Sequence, residues 1–281
     1  MAIVTMEKLL ARAEEKGIGC GSFSVYNMEA VVGAIKAAED LNTPIIIQLA
    51  EGRFGTAPLE YMGPMMVGAA INAKVDIGVH LDHGQSSYAI KRALELGFTS
   101  IMYDGSAFPL QENINKTKAM VAIAKKVNAT TEAELGHVGQ SEDGTVDHGI
   151  ECTNPNEACK LVEETGIDAL AVAIGNQHGN YKAAPHLRFD VLQEIHKQLP
   201  KQRLVLHGGS GISDQDFQRC ITYGIRKINI ATAILNAMTA SAKQALEKKR
   251  TCNFYEMHDA MVDGAYETIA HHIKVFNMEN L

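Results

Sequence analysis

Eight short apolar runs, rich in β-branched residues, recur along the chain at about 20–25, 44–50, 76–81, 98–103, 129–135, 168–174, 203–207 and 226–230. Most are continuous rather than alternating, the pattern of strands buried on both faces, as in a parallel sheet. Between them, 28–40, 86–96, 113–127, 156–165 and 214–223 carry apolar residues at helical spacing. Several of these segments open on a capping residue or proline, as at Thr153-Asn154-Pro155 and Ser213. Several close on glycine before the next apolar run, as at Gly97, Gly166 and Gly224. Strand–helix alternation repeated eight times predicts an α/β fold, a (β/α)8 TIM barrel, over 1–281 as a single domain. Two further helices, at 232–249 and 254–275, are predicted to close it at the C-terminal end. A doubly wound open sheet is the alternative, weakened in its dinucleotide-binding form because no GxGxxG follows the first strand. No linker, repeat or low-complexity stretch interrupts the pattern.

Composition narrows the partners. The 281 residues carry a net charge of −7, so a nucleic-acid partner is not expected and any anion site must be local, built from backbone amides and one or two cations. The five cysteines, Cys20, Cys152, Cys159, Cys220 and Cys252, contain no CxxC pair and read as reduced thiols of a cytoplasmic protein. The first residues are charged throughout and do not resemble a signal peptide, and no run reaches the roughly 18 apolar residues of a membrane span.

The polar residues fall at one place in the pattern, the C-terminal ends of the predicted strands. Strand 3 ends in His80-Leu81-Asp82-His83-Gly84 and strand 4 in Asp104-Gly105-Ser106. Strand 5 carries Glu132, Glu134 and Gly136, strand 6 ends in Gly175-Asn176-Gln177-His178-Gly179, and strand 7 in His207-Gly208-Gly209-Ser210-Gly211. Strand 8 carries Asn229, followed by Thr232. In a TIM barrel these ends converge on the face where active sites lie. His83, His178 and His207 then suit a catalytic zinc, which takes three protein ligands and keeps one position open. Glu134 and Asp104 are either further metal ligands or acceptors that orient the imidazoles; rim ion pairs are the competing reading. The glycine segment 208–211 ahead of a helix offers backbone N–H groups to a phosphate, with Lys182 as the cation and Thr232 as a hydroxyl donor; an ordinary tight turn would look the same. The acidic, glycine-flanked segment 139–144, which includes Glu142, looks like a lid that brings in a base, although a solvated surface loop fits its composition as well.

The motifs HLDHG (80–84), YDGS (103–106), EAELG (132–136), AVAIGNQHGNYK (171–182), VLHGGSGI (205–212) and KINIAT (227–232), in this order, resemble the class II fructose/tagatose-bisphosphate aldolases over essentially the whole chain. The resemblance implies a metal-dependent lyase that cleaves a phosphorylated ketose to dihydroxyacetone phosphate and an aldehyde. It implies Zn2+ on His83, His178 and His207, with Glu134 and Asp104 lining the metal site. Asp82 would be the acid/base at the C4 hydroxyl and Glu142 would move the C3 proton of dihydroxyacetone phosphate. Asn229 would contact the enediolate, and Gly179, Lys182, Gly208, Ser210 and Thr232 would bind the C1 phosphate. The family also implies a monovalent cation, Na+ or K+, near the glycine segments and a homodimer or homotetramer.

This chain departs from the fructose-type pattern at several positions. Ala231 stands where those members have aspartate, Ser24 where many have asparagine, and Ala50 where many have a small hydroxyl residue. No Lys or Arg occurs between Arg250 and Lys274, where bisphosphate-cleaving relatives carry a cation for the distal phosphate; Glu256, Asp259 and Asp263 occur instead. The expectation is an aldehyde half without phosphate, unless Arg53 or a partner subunit supplies the charge. Two rivals remain. A zinc hydrolase on the same barrel lacks its usual HxH on strand 1, and a non-catalytic aldolase-like subunit would not need the full set of histidines and carboxylates.

Overall fold

A computed structural model of the chain describes residues 3–139, 151–181, 185–248 and 251–279. Its strands are β1 (Cys20–Ser24), β2 (Ile45–Ala50), β3 (Ile77–Gly84), β4 (Ser100–Tyr103), β5 (Thr130–Leu135), β6 (Ala169–Val172), β7 (Arg203–Leu206) and β8 (Ile225–Ile230). Each pairs in parallel with the next, and β8 pairs with β1 through Gly21↔Ile228 and Ser22↔Asn229, so the sheet closes in chain order. The fold is a (β/α)8 TIM barrel, and the β1–β8 ladder excludes the open sheet.

The helices are α1 (Met6–Lys16), α2 (Met28–Asp40), α3 (Leu59–Asn72), α4 (Ser87–Glu95), α5 (Leu110–Lys125), α6 (Pro155–Thr165), α7 (Phe189–Gln198), α8 (Asp214–Thr222), α9 (Thr232–Lys248) and α10 (Phe254–Phe276). Capping chemistry sets many of their starts. Asn27, Ser86, Asn154 and Ser213 each accept from a backbone N–H of the following first turn. Sequence reasoning missed α1, α3 and α7. Helix α3 carries Pro64 inside it, α7 begins at Arg188 without a side-chain cap, and α1 precedes the first strand, where the strand–helix alternation offers no slot for it. Helix α5 also begins earlier than its apolar spacing indicated, at Leu110 directly after Pro109.

Within the barrel wall, residues alternate between two environments. Phe23, Ile45, Ile47, Leu49, Ile77, Val79, Leu81, Leu204, Leu206, Ile228 and Ile230 face outward into the shell of helices. The inward set is different at each level. At the N-terminal end, Cys20, Ile46, Ala169, Ala171 and Val205 pack on Met6, Leu9, Leu10 and Ala13 of α1, which plugs the barrel with an apolar layer. Further along the axis the inward residues turn polar: Ser22, Ser24, Gln48, His80, Asp82, Ser100, Glu132, Glu134, Lys227 and Asn229 are all buried. Helix α10 packs on α2 and α9 through glycine. A Cβ at Gly33 would come within 2.8 Å of Ala265, and one at Gly264 within 2.7 Å of Ser241.

Candidate active site

The β3 strand ends by turning His83 into the left-handed region, φ 43°, a conformation uncommon for a residue with a Cβ. The next residue, Gly84, has no room for a Cβ, which would meet the Met102 carbonyl at 2.5 Å. The turn aims the His83 ring at two other buried imidazoles, His178 beyond the end of β6 and His207 beyond the end of β7. Ring centroids lie 5.0 Å (His83–His178), 4.7 Å (His83–His207) and 5.9 Å (His178–His207) apart. The three ligand-type atoms all fall within 4.8 Å of one another.

A second group of three, His83, Asp104 and Glu134, shares His83. The His83 Nδ1–H donates to Asp104 Oδ2 at 2.9 Å, while Nε2 lies 3.0 Å from His207 Nδ1. Asp104 is itself anchored, accepting from the Ser106 hydroxyl at 2.7 Å and the Ser106 amide at 3.1 Å. Burial pushes the Asp104 carboxyl up, but its bonds to His83 and Ser106 outweigh this and hold it well below the usual carboxylate range. Burial would likewise depress His83; the Asp82 and Asp104 carboxylates reverse that and raise it well above an ordinary histidine. His207 is driven well down by burial, with His83 adding to the effect. Glu134 is driven well up by burial and by Asp104.

The donor set fits zinc. Tetrahedral Zn–N bonds of about 2.05 Å put two nitrogens roughly 3.3 Å apart, close to the 3.0 Å between His83 Nε2 and His207 Nδ1. Glu134 Oε2 is buried without a hydrogen-bond partner beside this point, 3.5 Å from His207 Nδ1. Three converging imidazoles beside a buried carboxylate oxygen that has no hydrogen-bond partner make a site that a divalent cation completes.

Asp82 sits one residue before His83, fully buried in the barrel. Gln48 Nε2 donates to its Oδ2 at 2.9 Å and Asn229 Nδ2 to its Oδ1 at 3.1 Å, and its Oδ2 lies 4.0 Å from His83 Nε2. The acid/base candidate and Asn229 are therefore brought together with the imidazoles.

The glycine segments form the adjoining wall. Gly179 has φ 81° and Gly208 φ 62°. A Cβ at Gly208 would meet the Gln177 carbonyl oxygen at 2.2 Å, so only glycine fits where the two segments cross. Ser210 Oγ accepts from Ala233 N at 3.0 Å, which ties the segment to the N-terminus of α9 where Thr232 begins the helix. Tyr181 locks the same wall, its hydroxyl donating to the Gly208 carbonyl and accepting from Gln177 N, both at 2.9 Å. Asn176 adds a second tie, donating to the His207 carbonyl at 2.9 Å. Glu142 and Lys182 lie outside the described residues. The described chain reaches the Glu142 segment at Gly139, whose carbonyl accepts from His178 N at 2.8 Å.

Sequence reasoning missed Gln48 and gave no role to Glu132, Lys227 and Tyr181, which it held only as strand-end or motif residues. Glu132 Oε1 accepts from His207 Nε2–H at 2.8 Å, and Lys227 Nζ lies 2.9 Å from Glu132 Oε2. For Glu132 and Lys227 the signal was a charged residue two positions before Glu134 and Asn229, on the same strand face.

A closed parallel barrel with converging imidazoles and buried carboxylates at the C-terminal ends of its strands defines an α/β-barrel enzyme. Comparison with known proteins narrows the class. The family described as "Fructose-bisphosphate aldolase class-II" matches residues 4–281, and the chain belongs to it; it is a lyase of the aldolase type. The chain is 36% identical over 288 residues to the sulfofructosephosphate aldolase of Alkalicoccus urumqiensis, covering 100% of this chain and 98% of that one. It is equally 36% identical over 291 residues to a fructose-bisphosphate aldolase of Staphylococcus aureus strain Mu50, covering 100% and 99%. The crystal structure of the YdjI aldolase from Escherichia coli K12 superposes with a TM-score of 0.86 at 35% identity, covering 98% of this chain and 97% of that one. Among the described residues no helix is long and apolar enough to cross a membrane.

Proposed function

We propose that the protein is a zinc-dependent aldolase that cleaves a fructose- or tagatose-type ketose phosphate reversibly into dihydroxyacetone phosphate and an aldehyde. The observation that carries this reading is the convergence of His83, His178 and His207 within 4.8 Å, with the fully buried Asp82 alongside. His83, His178 and His207 would hold the zinc, with Asp104 and Glu134 as neighbouring or alternative ligands. When bound, zinc supplies Lewis acidity toward the charge that develops on the ketose oxygens, worth several kcal/mol.

The remaining chemistry belongs to the chain. Asp82 removes the C4 hydroxyl proton in cleavage and returns it to the aldehyde oxygen in condensation; its two amide donors aim it. Asn229 presents its Nδ2–H2 beside Asp82 and donates toward the enediolate oxygen. Gly179, Gly208, Ser210 and Thr232 supply backbone and hydroxyl donors to the C1 phosphate, with Lys182 as its cation. Glu142 moves the C3 proton. No lysine nucleophile is needed.

An aldehyde half without phosphate is favoured by the first turn of α10. Glu256 is committed there to a capping box with Asn253, accepting from its N–H at 2.9 Å. The next polar residue, His258, bonds Glu29 at 3.1 Å. The first turn of α10 carries no guanidinium or ammonium, which leaves Arg53 after β2 or a partner subunit as the alternative source of charge, and an unneutralised phosphate beside carboxylates is unfavourable. The name of the Alkalicoccus relative supports variation in the ketose phosphate cleaved within the family.

The test is coupled detection of dihydroxyacetone phosphate from the zinc-loaded protein, comparing fructose and tagatose as 1-phosphates and as 1,6-bisphosphates. Activity should vanish with chelator and return with zinc. Higher kcat/KM for the 1-phosphates is expected. A bisphosphate far above its matching 1-phosphate would overturn the aldehyde-half assignment, and no release from any ketose phosphate would overturn the reading as a whole.

A further inference from the structure

We propose that Lys227 is a positioning residue whose single ammonium sets two parts of the site at once, the metal ligand His207 through Glu132 and the acid/base Asp82 through Asn229. The inference rests on the zinc-aldolase reading and goes beyond it to the barrel interior beneath the site.

Lys227 is fully buried, pointing inward from β8. Its Nζ donates to Asn229 Oδ1 at 2.8 Å and lies 2.9 Å from Glu132 Oε2. An ammonium is donor-only, so it dictates the orientation of whatever it meets. With Oδ1 of Asn229 committed to Lys227, the amide has one orientation left, and its Nδ2 points at Asp82 Oδ1, 3.1 Å away. The charge contact between Lys227 Nζ and Glu132 Oε2, which has no hydrogen-bond partner, draws that carboxylate oxygen toward the ammonium, and Oε1 accepts the Nε2–H of His207 at 2.8 Å. That bond selects the tautomer of His207 whose bare Nδ1 faces His83 Nε2, the point where a metal would sit.

Stability alone does not explain the residue. A buried ion pair contributes little net stability compared with apolar residues of similar volume, and TIM barrel interiors are ordinarily filled by branched aliphatic side chains. Lys227 instead meets Glu132 and Asn229, the two residues that reach His207 and Asp82, and His80 Nε2 lies 3.7 Å from Glu132 Oε2, both atoms without a hydrogen-bond partner. The polar layer is aimed upward at the reacting groups.

The experiment compares wild type, Lys227→Met and the double variant Lys227→Met/Glu132→Gln. Each is followed by thermal unfolding, by Co2+ affinity in chelator competition, by the Co2+ visible spectrum, and by kcat and KM for dihydroxyacetone phosphate release. In Lys227→Met both arms loosen. Co2+ should bind about 10- to 100-fold more weakly with a changed spectrum, and kcat should fall by a similar factor, about 10- to 100-fold, while KM stays within a few-fold. The double variant removes the uncompensated carboxylate and keeps an amide oxygen for His207 Nε2–H, so its Co2+ affinity and spectrum should recover while kcat stays low, because Asn229 is still unanchored. Wild-type kcat and Co2+ affinity in folded Lys227→Met would refute the proposal. So would full recovery of kcat in the double variant, which would reduce Lys227 to a counter-charge. If neither variant folds with metal present, Lys227 is a folding residue and the proposal falls. Wild-type protein that binds no Co2+ or releases no dihydroxyacetone phosphate would instead overturn the zinc-aldolase reading.

Discussion

Replacing Asp82 by asparagine separates proton transfer from metal binding. The carboxylate accepts one N–H on each oxygen, from Gln48 at 2.9 Å and from Asn229 at 3.1 Å. An asparagine has one oxygen, so one of its two sides must present NH2 to an existing donor. Asn229 cannot turn away, because its oxygen is bonded to Lys227 at 2.8 Å. The adjustment falls on Gln48, whose other contacts are the Ser22 and Ser24 hydroxyls and can re-orient. One unsatisfied buried donor costs about 1–3 kcal/mol of stability, so the variant should fold. Its catalytic loss is that of a removed general acid/base, roughly 10²–10⁴ in kcat, or about 2.7–5.4 kcal/mol at 1.36 kcal/mol per factor of ten. Metal content should stay at the wild-type level, since Asp82 belongs to neither candidate ligand group. The assay is release of dihydroxyacetone phosphate from ketose phosphate, alongside solvent exchange of the C3 proton of dihydroxyacetone phosphate, which the proposed base Glu142 performs. Cleavage should fall by the full factor while exchange persists. Loss of metal, or a cleavage rate within tenfold of wild type, would show that Asp82 does something else.

Other consequences are simpler to measure. His83→Ala removes the residue shared by both candidate ligand groups and should abolish stoichiometric zinc in metal analysis; full retention would refute the ligand assignment. Asp104→Asn keeps the ligand shape but weakens the hydrogen bond that orients His83, and a roughly 10- to 100-fold loss of zinc affinity by chelator competition is expected. Burial pushes the Cys20 and Cys220 thiols up to about 12, so at pH 8 both remain protonated and unreactive. A thiol reagent should therefore modify at most three of the five cysteines in the folded protein and all five after unfolding, and rapid native reaction of all five would contradict that burial. Leu10→Ala empties part of the apolar plug at the end of the barrel away from the site, and should cost about 2–5 kcal/mol in chemical denaturation while leaving kcat near wild type.

The barrel was legible in the sequence because strands buried on both faces read as continuous apolar runs, and all eight fall where those runs are. The same continuity hides which residues face inward. Along β5 or β8 the outward and inward positions are equally buried, so the rule that charged residues face solvent misplaces Lys227, which lies inside while Ile228 lies outside. The site histidines were legible because each stands beside glycine at a strand end, and the structure brings them together as that placement predicts. Lys227 and Glu132 went unassigned because their partnership spans 95 positions of chain and carries no local spacing. Helix α3 was obscured by Pro64, yet the proline is accommodated within the helix. Glu142 and Lys182 remain expectations from the motif pattern and the resemblance, since they fall outside the described residues.

The interior of the barrel changes character along its axis, and the change follows from side-chain size as much as polarity. On β6 the inward positions Ala169 and Ala171, and Ala173 just past its end, are all alanine and fully buried. Ala171 pairs in register with Glu134 on one side and Val205 on the other. Small residues on this strand leave interior volume for long side chains from its neighbours, and Glu132, Glu134, His207 and Lys227 occupy the buried interior. A barrel filled evenly with branched aliphatics would have no room for a carboxylate, an ammonium and an imidazole at one level. The apolar plug from α1 keeps water from the N-terminal end, so these charges meet one another rather than solvent. Each group then has a defined partner: Lys227 with Glu132 and Asn229, Glu132 with His207, Asn229 and Gln48 with Asp82. In a low-dielectric interior such a chain is rigid when complete and costly when any member is removed. The alanines of β6 are therefore part of the site's construction, because the geometry at His207 and Asp82 depends on a layer that fits only where they leave room.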